Sequence, residues 1–285
     1  MKLTYTINAD IALIDYLNNH YISKAKIYNL FNQKRIFINN NPAKVEDQLF
    51  INDILEIEYN EEIGYKPIHK DLDILYEDDY LLVINKMPGI IIHNDDKNKT
   101  DSLCNIVAGY YERKKINLNV RFAHRLDFET SGIIVFCKDL LSLGYMNHYI
   151  STHEVKREYR LFIEGMMGKK RGTINLPIGE DRHIRNKKRV SKTGKEAITH
   201  YETIKYFKGY SLVSAVLSTG RTHQIRVHFS HLGHPLLGDI LYGGDDYKIN
   251  RVALHSYRVC FKHPITNKKI DLICEMPEDL KKLGE

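Results

Sequence analysis

The chain is poor in the residues that staple a fold, hold metal or cross a membrane. Only four cysteines occur in 285 residues, Cys104, Cys137, Cys260 and Cys274, and no two stand at a Cys-x-x-Cys spacing. A zinc ribbon, a dithiol redox pair and a disulfide framework all need closer or more numerous cysteines, so buried free thiols are expected. No apolar run approaches the roughly 18 residues that span a bilayer. The densest, such as 132–137, are strand-sized. The opening MKLTYTINAD has no basic region leading into an apolar core and does not read as an export signal, so a cytoplasmic location is expected. There is no internal repeat and no low-complexity tract. A content of 43% hydrophobic and 27% charged residues is that of a folded chain, and the length predicts one large domain with a small one.

What is present is a localised excess of positive charge. The net charge is +6 and the pI near 8.9. Residues 1–60 hold six Lys/Arg against seven Asp/Glu, whereas residues 156–195 hold thirteen against four, a balance of +9. One segment thus supplies more than the whole net charge, the footprint of a polyanionic partner. A solvated lysine-rich loop has the same composition.

The first sixty residues read as a unit of their own. Ile11, Ile14 and Leu17 within 10–20 have helical spacing, and Ser23 stands where an N-cap belongs, ahead of Ile27, Leu30 and Phe31. Residues 35–39 alternate as a strand, Asn39-Asn40-Asn41-Pro42 makes a turn, and 54–59 forms a last strand. This order, over residues 8–60, resembles the small S4-like RNA-binding domain. Ser23-Lys24 and Lys34-Arg35 stand where that domain commonly has Ser-Arg and a glycine before its first strand. The resemblance implies a basic edge of Lys24, Lys26, Lys34 and Arg35 for phosphates; a small scaffold that binds nothing would look similar. Residues 61–70, punctuated by Gly64 and Pro67, read as a polar linker, and 71–285 as the main domain. There, strand-like runs at 80–85, 89–93, 133–137, 158–165, 199–206 and 210–217 alternate with turns, and Asp139 caps a helix running to about 151. The expected fold class is α+β: a mixed, largely antiparallel sheet with flanking helices, plus a small α/β N-terminal domain.

The chemistry concentrates in His124-Arg125-Leu126-Asp127-Phe128-Glu129-Thr130-Ser131-Gly132, followed at once by the apolar strand Ile133-Ile134-Val135-Phe136-Cys137. A carboxylate in a loop just before a buried strand is exposed by the loop and fixed by the strand. His124 and Arg125 are placed to bind phosphate or orient the acid. His-Arg-x-Asp also occurs in protein-kinase catalytic loops, but the Gly-rich loop, the Asn after the Asp and the later Asp-Phe-Gly are all missing.

HRLDFETSG resembles the signature of the RluA/RluD-type RNA pseudouridine synthases, His-Arg-Leu-Asp-x-x-Thr-Ser-Gly. Further segments resemble that family's motifs in the same order. They are Asn85-Lys86-Met87-Pro88-Gly89 with His93, with Met87 as an extra residue, and Lys156-Arg157-Glu158-Tyr159. Gly220-Arg221-Thr222-His223-Gln224-Ile225-Arg226-Val227-His228 follows, with Gly233-His234-Pro235 and Gly238-Asp239, then Ala253-Leu254-His255 with His263-Pro264. The likeness spans about 71–275.

The resemblance implies an isomerase that breaks the nitrogen–carbon glycosidic bond of a uridine, turns the uracil over and rejoins it through carbon. The product is an isomer, so no cofactor, nucleotide or metal is required, in keeping with the missing Walker and dinucleotide fingerprints. Asp127 matches the family's catalytic carboxylate, acting either as a nucleophile or as a base toward the sugar. Tyr159 matches the tyrosine that stacks on the target base and is a candidate to help remove the proton from carbon 5; it shares a strand face with Leu161 and Ile163, so a core position is the lesser alternative. Arg226 matches the arginine that pairs with the carboxylate, and the stripe Ile225, Phe229, Leu232 leaves it on another helix face. Arg125 is associated with holding the RNA open around the flipped base, and Lys86, Lys156, Arg221, His223, His124 and the 169–195 loop are the other RNA-contact candidates. His223, His228, His231 and His234 lack the i, i+4 spacing and acidic neighbour of a helical zinc site, so no metal is expected. The expected partner is structured RNA, ribosomal (large-subunit) ahead of transfer RNA, acted on by a monomer. The alternatives are a transfer-RNA-directed synthase, a catalytically silent RNA-binding protein and, on the histidines, a metal-dependent phosphoesterase.

Overall fold

The computed structural model describes residues 1–94 and 101–285. The fold is α+β. Near the N-terminus a four-stranded antiparallel sheet runs in the order Lys2–Thr6, Ile54–Glu58, Ile36–Ile38, Asn41–Pro42, with helices Leu13–Asn19 and Lys24–Asn32 against it. The first strand escaped the sequence reading; Leu3 and Tyr5 point inward from it and are buried. The first helix starts at Leu13 because Ile11–Ala12 pairs with Gln48–Leu49 instead. Ser23 occupies the N-cap position without a side-chain capping bond, so burial of Ile27 and Leu30 holds that helix. Asn39 and Asn40 turn the hairpin with φ of 48° and 68°, the left-handed pair of a type I′ turn.

Residues 61–70, expected as a hinge, are tied down along their length. Glu61 forms an ion pair with Arg121, Asn105 donates to Lys66 O at 2.9 Å, and Ile68 N–H donates to Asn105 O at 2.9 Å. Gly109 admits this segment, since a Cβ there would lie 2.1 Å from Ile68 O. The N-terminal unit also packs directly on the larger one. Tyr5 and Tyr80 rings are 5.5 Å apart, Tyr21 stacks on His148 at 3.5 Å, and their apolar side chains merge into one core.

Among the described residues the larger sheet has nine strands. Its order is Arg171–Asn175, Ile198–Phe207, Tyr210–Leu217, Lys156–Glu164, Leu254–Lys262, Ser131–Cys137, Leu81–Lys86, Asp73–Glu77, and Lys269–Ile273 also pairs with Leu254–Lys262. Every pairing is antiparallel except Leu254–Lys262 with Ser131–Cys137, which run parallel through His255–Ser131 and Ser256–Gly132. Gly132 makes that junction possible: its φ is +104° and a Cβ would lie 2.3 Å from Ser256 O. Helices Leu103–Arg113, Leu140–Ser151 and Gln224–His231 flank the sheet. Asp139 caps the second as expected, accepting from Ser142 N–H at 2.9 Å. The expected strand at 89–93 is not formed; Ile91 makes only a single bridge to Ser102, because Gly89 turns the chain with φ +79°. Among the described residues no helix is long and apolar enough to cross a membrane.

Two buried histidines brace this junction in the neutral form. His255 Nε2 lies 2.8 Å from Cys274 O, which can only accept, so Nε2 carries the proton and Nδ1 accepts from the Ser131 hydroxyl at 3.0 Å. His124 Nε2 accepts the Val135 N–H at 3.3 Å. Burial pulls His124 down to about 3 and His255 to about 4, from 6.5. Below 6.5 the unfolded chain therefore binds more protons than the fold, and stability declines as pH falls through that window, by up to about 1.4 kcal/mol per pH unit for each group. Urea midpoints should drop between pH 6.5 and about 4 in the wild type and drop less in His255→Gln. Equal slopes would mean that the imidazole is charged in the fold.

Candidate active site

Asp127 stands in a turn closed by Thr130 N–H donating to Asp127 O at 3.1 Å, immediately before the strand Ser131–Cys137. Leu126 is buried beneath it and Phe128 is exposed. Lys86 fastens the turn from below. Its ammonium is wholly buried and donates to Met87 O at 3.0 Å, Ile90 O at 2.9 Å and Phe128 O at 3.1 Å, and Gly89 N–H also reaches Phe128 O at 2.9 Å. The expectation of a phosphate contact at Lys86 is therefore corrected: all three of its donors are spent on backbone carbonyls. Burial lowers its pKa to about 8, against the opposing pull of Asp127.

Above the turn opens a cavity of about 410 Å³ whose wall includes Asp127, Tyr159, Arg226, Arg125, Arg221 and His223. The six come from three motif segments, 124–132, 156–159 and 220–228, which the fold brings together. Arg226 reaches Asp127 Oδ2 with Nη1 at 3.4 Å, but its tight partner is Asp239, held by Nε at 2.7 Å and Nη2 at 2.8 Å. Burial works against the guanidinium charge; the Asp239 hydrogen bonds and the charges of Asp239 and Asp127 outweigh it and raise the pKa. Of the expected helix stripe, Ile225 and Phe229 are buried while Leu232 ends the helix and is exposed.

Tyr159 is 5% exposed and faces the cavity from the strand Lys156–Glu164. Burial, with Asp127 adding and Arg157 opposing, raises its phenol above 10.0, so it stands in the site as a neutral aromatic surface. Two further expectations are corrected. His124 is buried and neutral with its Nε2 engaged by Val135 N–H, which leaves it bracing the sheet rather than touching a phosphate. Lys156 is solvent-exposed and outside the cavity wall, because strand alternation turns it away from the face that carries its neighbour Arg157 and Tyr159. Lys24 and Lys34 are exposed and Arg35 half-buried on the N-terminal unit, apart from the cavity. The four histidines of 223–234 diverge: His228 bonds Thr199 and Leu176 O, His234 bonds Glu164 O, and His223 faces the cavity.

Arg157 was overlooked, and the period-two pattern that joins it to Tyr159 was the signal. It is 5% exposed, lines the cavity, and its guanidinium has no hydrogen-bond or ion-pair partner among the described residues. Gly220 leaves room for it, since a Cβ there would lie 3.0 Å from Arg157 Nη1. Arg125 is likewise unpaired but exposed, and Arg221 spends only Nε, on Glu196 O at 2.8 Å. One half-buried carboxylate among three cations with donors to spare is a wall built for an anionic polymer around a single acid.

The chain and its fold match known proteins. The family model for RNA pseudouridylate synthase matches residues 80–231. An uncharacterized RNA pseudouridine synthase of Bacillus subtilis, YhcT, is 42% identical over 248 residues, covering 86% of this chain and 81% of its own. A Haemophilus ducreyi protein named ribosomal large subunit pseudouridine synthase D is 31% identical, covering 100% of this chain and 94% of its own. The fold is shared with human RNA pseudouridylate synthase domain containing 4, at a TM-score of 0.61 and 23% identity over 73% of this chain and 90% of that one. This chain belongs to the RNA pseudouridine synthase family: it is an isomerase whose substrate is RNA.

The unpaired Arg157 yields a two-sided expectation. Arg157→Met fills similar space without a buried charge, so unfolding free energy should rise by about 1 kcal/mol. RNA binding should weaken about tenfold and the log–log salt slope should fall by about one, the signature of one lost phosphate contact. Unchanged affinity in filter binding across a salt series would remove Arg157 from the RNA interface.

Proposed function

We propose that this enzyme isomerises uridines of large-subunit ribosomal RNA, with Asp127 as the catalytic carboxylate. The observation that carries the reading is the isolation of that carboxylate in a cationic cavity, aimed by Arg226 at 3.4 Å beside the buried ring of Tyr159. In the reaction the bond from uracil N1 to the sugar breaks, the base turns over, and a bond from C5 to the same sugar carbon forms. The C5 hydrogen leaves as a proton and N1 gains one, so the atoms balance without a cofactor. Asp127 acts at the sugar–base junction, as nucleophile or as base toward the sugar.

The target base has to leave its stack to reach this depth. Tyr159 offers it an aromatic face, and a phenol held above 10.0 suits stacking better than removal of the C5 proton. Arg125, Arg157 and Arg221 take the flanking phosphates. The hairpin of Ile178–Glu180 and Lys188–Val190 adds Arg182, Arg185 and Arg189. RNA continues toward an S4-like N-terminal unit bearing Lys24, Lys34 and Arg35. Support for that path comes from helix Leu140–Ser151, which lines the cavity through Asn147 and Ile150 and carries His148 under Tyr21, three residues before Lys24. A monomer is the proposed acting form. Support for the ribosomal target is the name borne by relatives such as the Haemophilus ducreyi protein.

The test is tritium release from transcripts labelled at uracil C5, with EDTA throughout. Release from large-subunit ribosomal RNA and not from transfer RNA is expected. Release from transfer RNA alone would make this a transfer-RNA enzyme, and tight binding without release from either would leave a silent binder.

A further inference from the structure

The basic hairpin is wired to the catalytic acid through one tyrosine. Tyr242 is buried, with the Arg226 guanidinium 4.9 Å and the Lys187 ammonium 5.4 Å from its ring centroid. Its hydroxyl receives the Lys188 backbone N–H at 2.9 Å, a donor that leaves the hairpin for this purpose. The same oxygen lies 2.9 Å from His223 Nδ1. His223 Nε2, on the far side of the ring, lies 3.9 Å from Asp127 Oδ2.

The proton positions follow from counting donors and acceptors. Burial lifts the Tyr242 phenol to about 12, so it keeps its single proton. Burial holds His223 below 6.5, so at neutral pH the imidazole carries one proton. If that proton sat on Nδ1, both neighbours of the Tyr242 oxygen would be donors, and the phenol proton would have no acceptor among the described residues. The Nε2 lone pair would also face a carboxylate. With the proton on Nε2, Lys188 N–H donates to Tyr242 Oη, Tyr242 O–H donates to Nδ1, and Nε2–H points at Asp127.

We propose that Tyr242 is a positioning residue that fixes the His223 tautomer, so that docking of the basic hairpin sets a second donor on Asp127 Oδ2. That oxygen already receives Arg226 Nη1 at 3.4 Å, so both donors converge on Oδ2 and Oδ1 is left as the oxygen free for the sugar. The 3.9 Å contact is too long for a hydrogen bond in the free enzyme, and a shift of about 1 Å closes it. RNA gripping the arginines and lysines around Lys188 supplies such a shift, which joins recognition at the hairpin to alignment at the acid. The device rests on the reading of Asp127 as the catalytic carboxylate.

The test pairs imidazole ¹⁵N spectra with single-turnover kinetics, in the wild type and in Tyr242→Phe, which keeps the ring beneath Arg226. The wild type should show the Nε2–H form of His223. Tyr242→Phe should strip the hydrogen bond from Nδ1, moving its ¹⁵N signal to that of an unbonded acceptor, and slow the single-turnover rate by about ten- to a hundredfold with RNA affinity unchanged. An Nδ1–H form in the wild type, which needs no variant to detect, would overturn the relay, as would a wild-type rate in a folded Tyr242→Phe. Both of those failures leave Asp127 in its role. Turnover by Asp127→Asn would instead sink the reading of the site while the tautomer stayed as assigned.

Discussion

A single guanidinium, that of Arg226, holds two carboxylates that would otherwise have no reason to meet. Asp239 is 1% exposed and takes the guanidinium fork in two bonds of 2.7 and 2.8 Å, whereas Asp127 receives the remaining edge at 3.4 Å. The tight pair fixes the orientation of the cation, and the longer contact holds Asp127 less firmly. Such a buried pair gives little net stability, but losing one partner strands a buried charge at a cost of about 3–5 kcal/mol. The loop that carries Asp239 is accordingly rigid: Gly238, with φ +73°, sits where a Cβ would be 1.9 Å from Arg251 O.

Around that centre the charges are arranged by how much water they keep. Lys86, wholly buried, has exchanged solvent for three carbonyls and has become part of the turn that presents Asp127. Arg157 is almost as buried, and its Nε has no partner among the described residues, a demand that an anion in the cavity would meet. Arg125 and Arg221 remain in solvent at the rim. Cationic depth and cationic rim thus surround the one carboxylate among the residues that line the cavity.

The parts that could be read from the sequence are those whose signal is local. The turn before a buried strand, His124 to Cys137, displayed its acid and its glycine together, and Asp139 announced its helix because a cap and its helix are adjacent. The strand Lys2–Thr6 alternates, but its partner Ile54–Glu58 lies fifty residues away, so nothing near it marked it. Helix Leu103–Arg113 is buried around nearly its whole circumference and shows no polar stripe. Lys86 and His124 were misread for a different reason: residue type suggests a phosphate, but burial decides, and burial is tertiary. The resemblance set Arg226 beside Asp127, and the structure has a 3.4 Å contact there, yet its stronger bond to Asp239 needed coordinates to see.

Everything proposed for this site depends on the carboxylate of Asp127 doing chemistry and not only balancing charge. The most direct measurement is the single-turnover rate of Asp127→Asn on labelled ribosomal RNA, with its RNA affinity measured beside it. A rate lower by about three orders of magnitude or more is expected, with affinity within about tenfold of the wild type. Turnover near the wild-type rate would contradict it and send the search for the acting group elsewhere in the cavity.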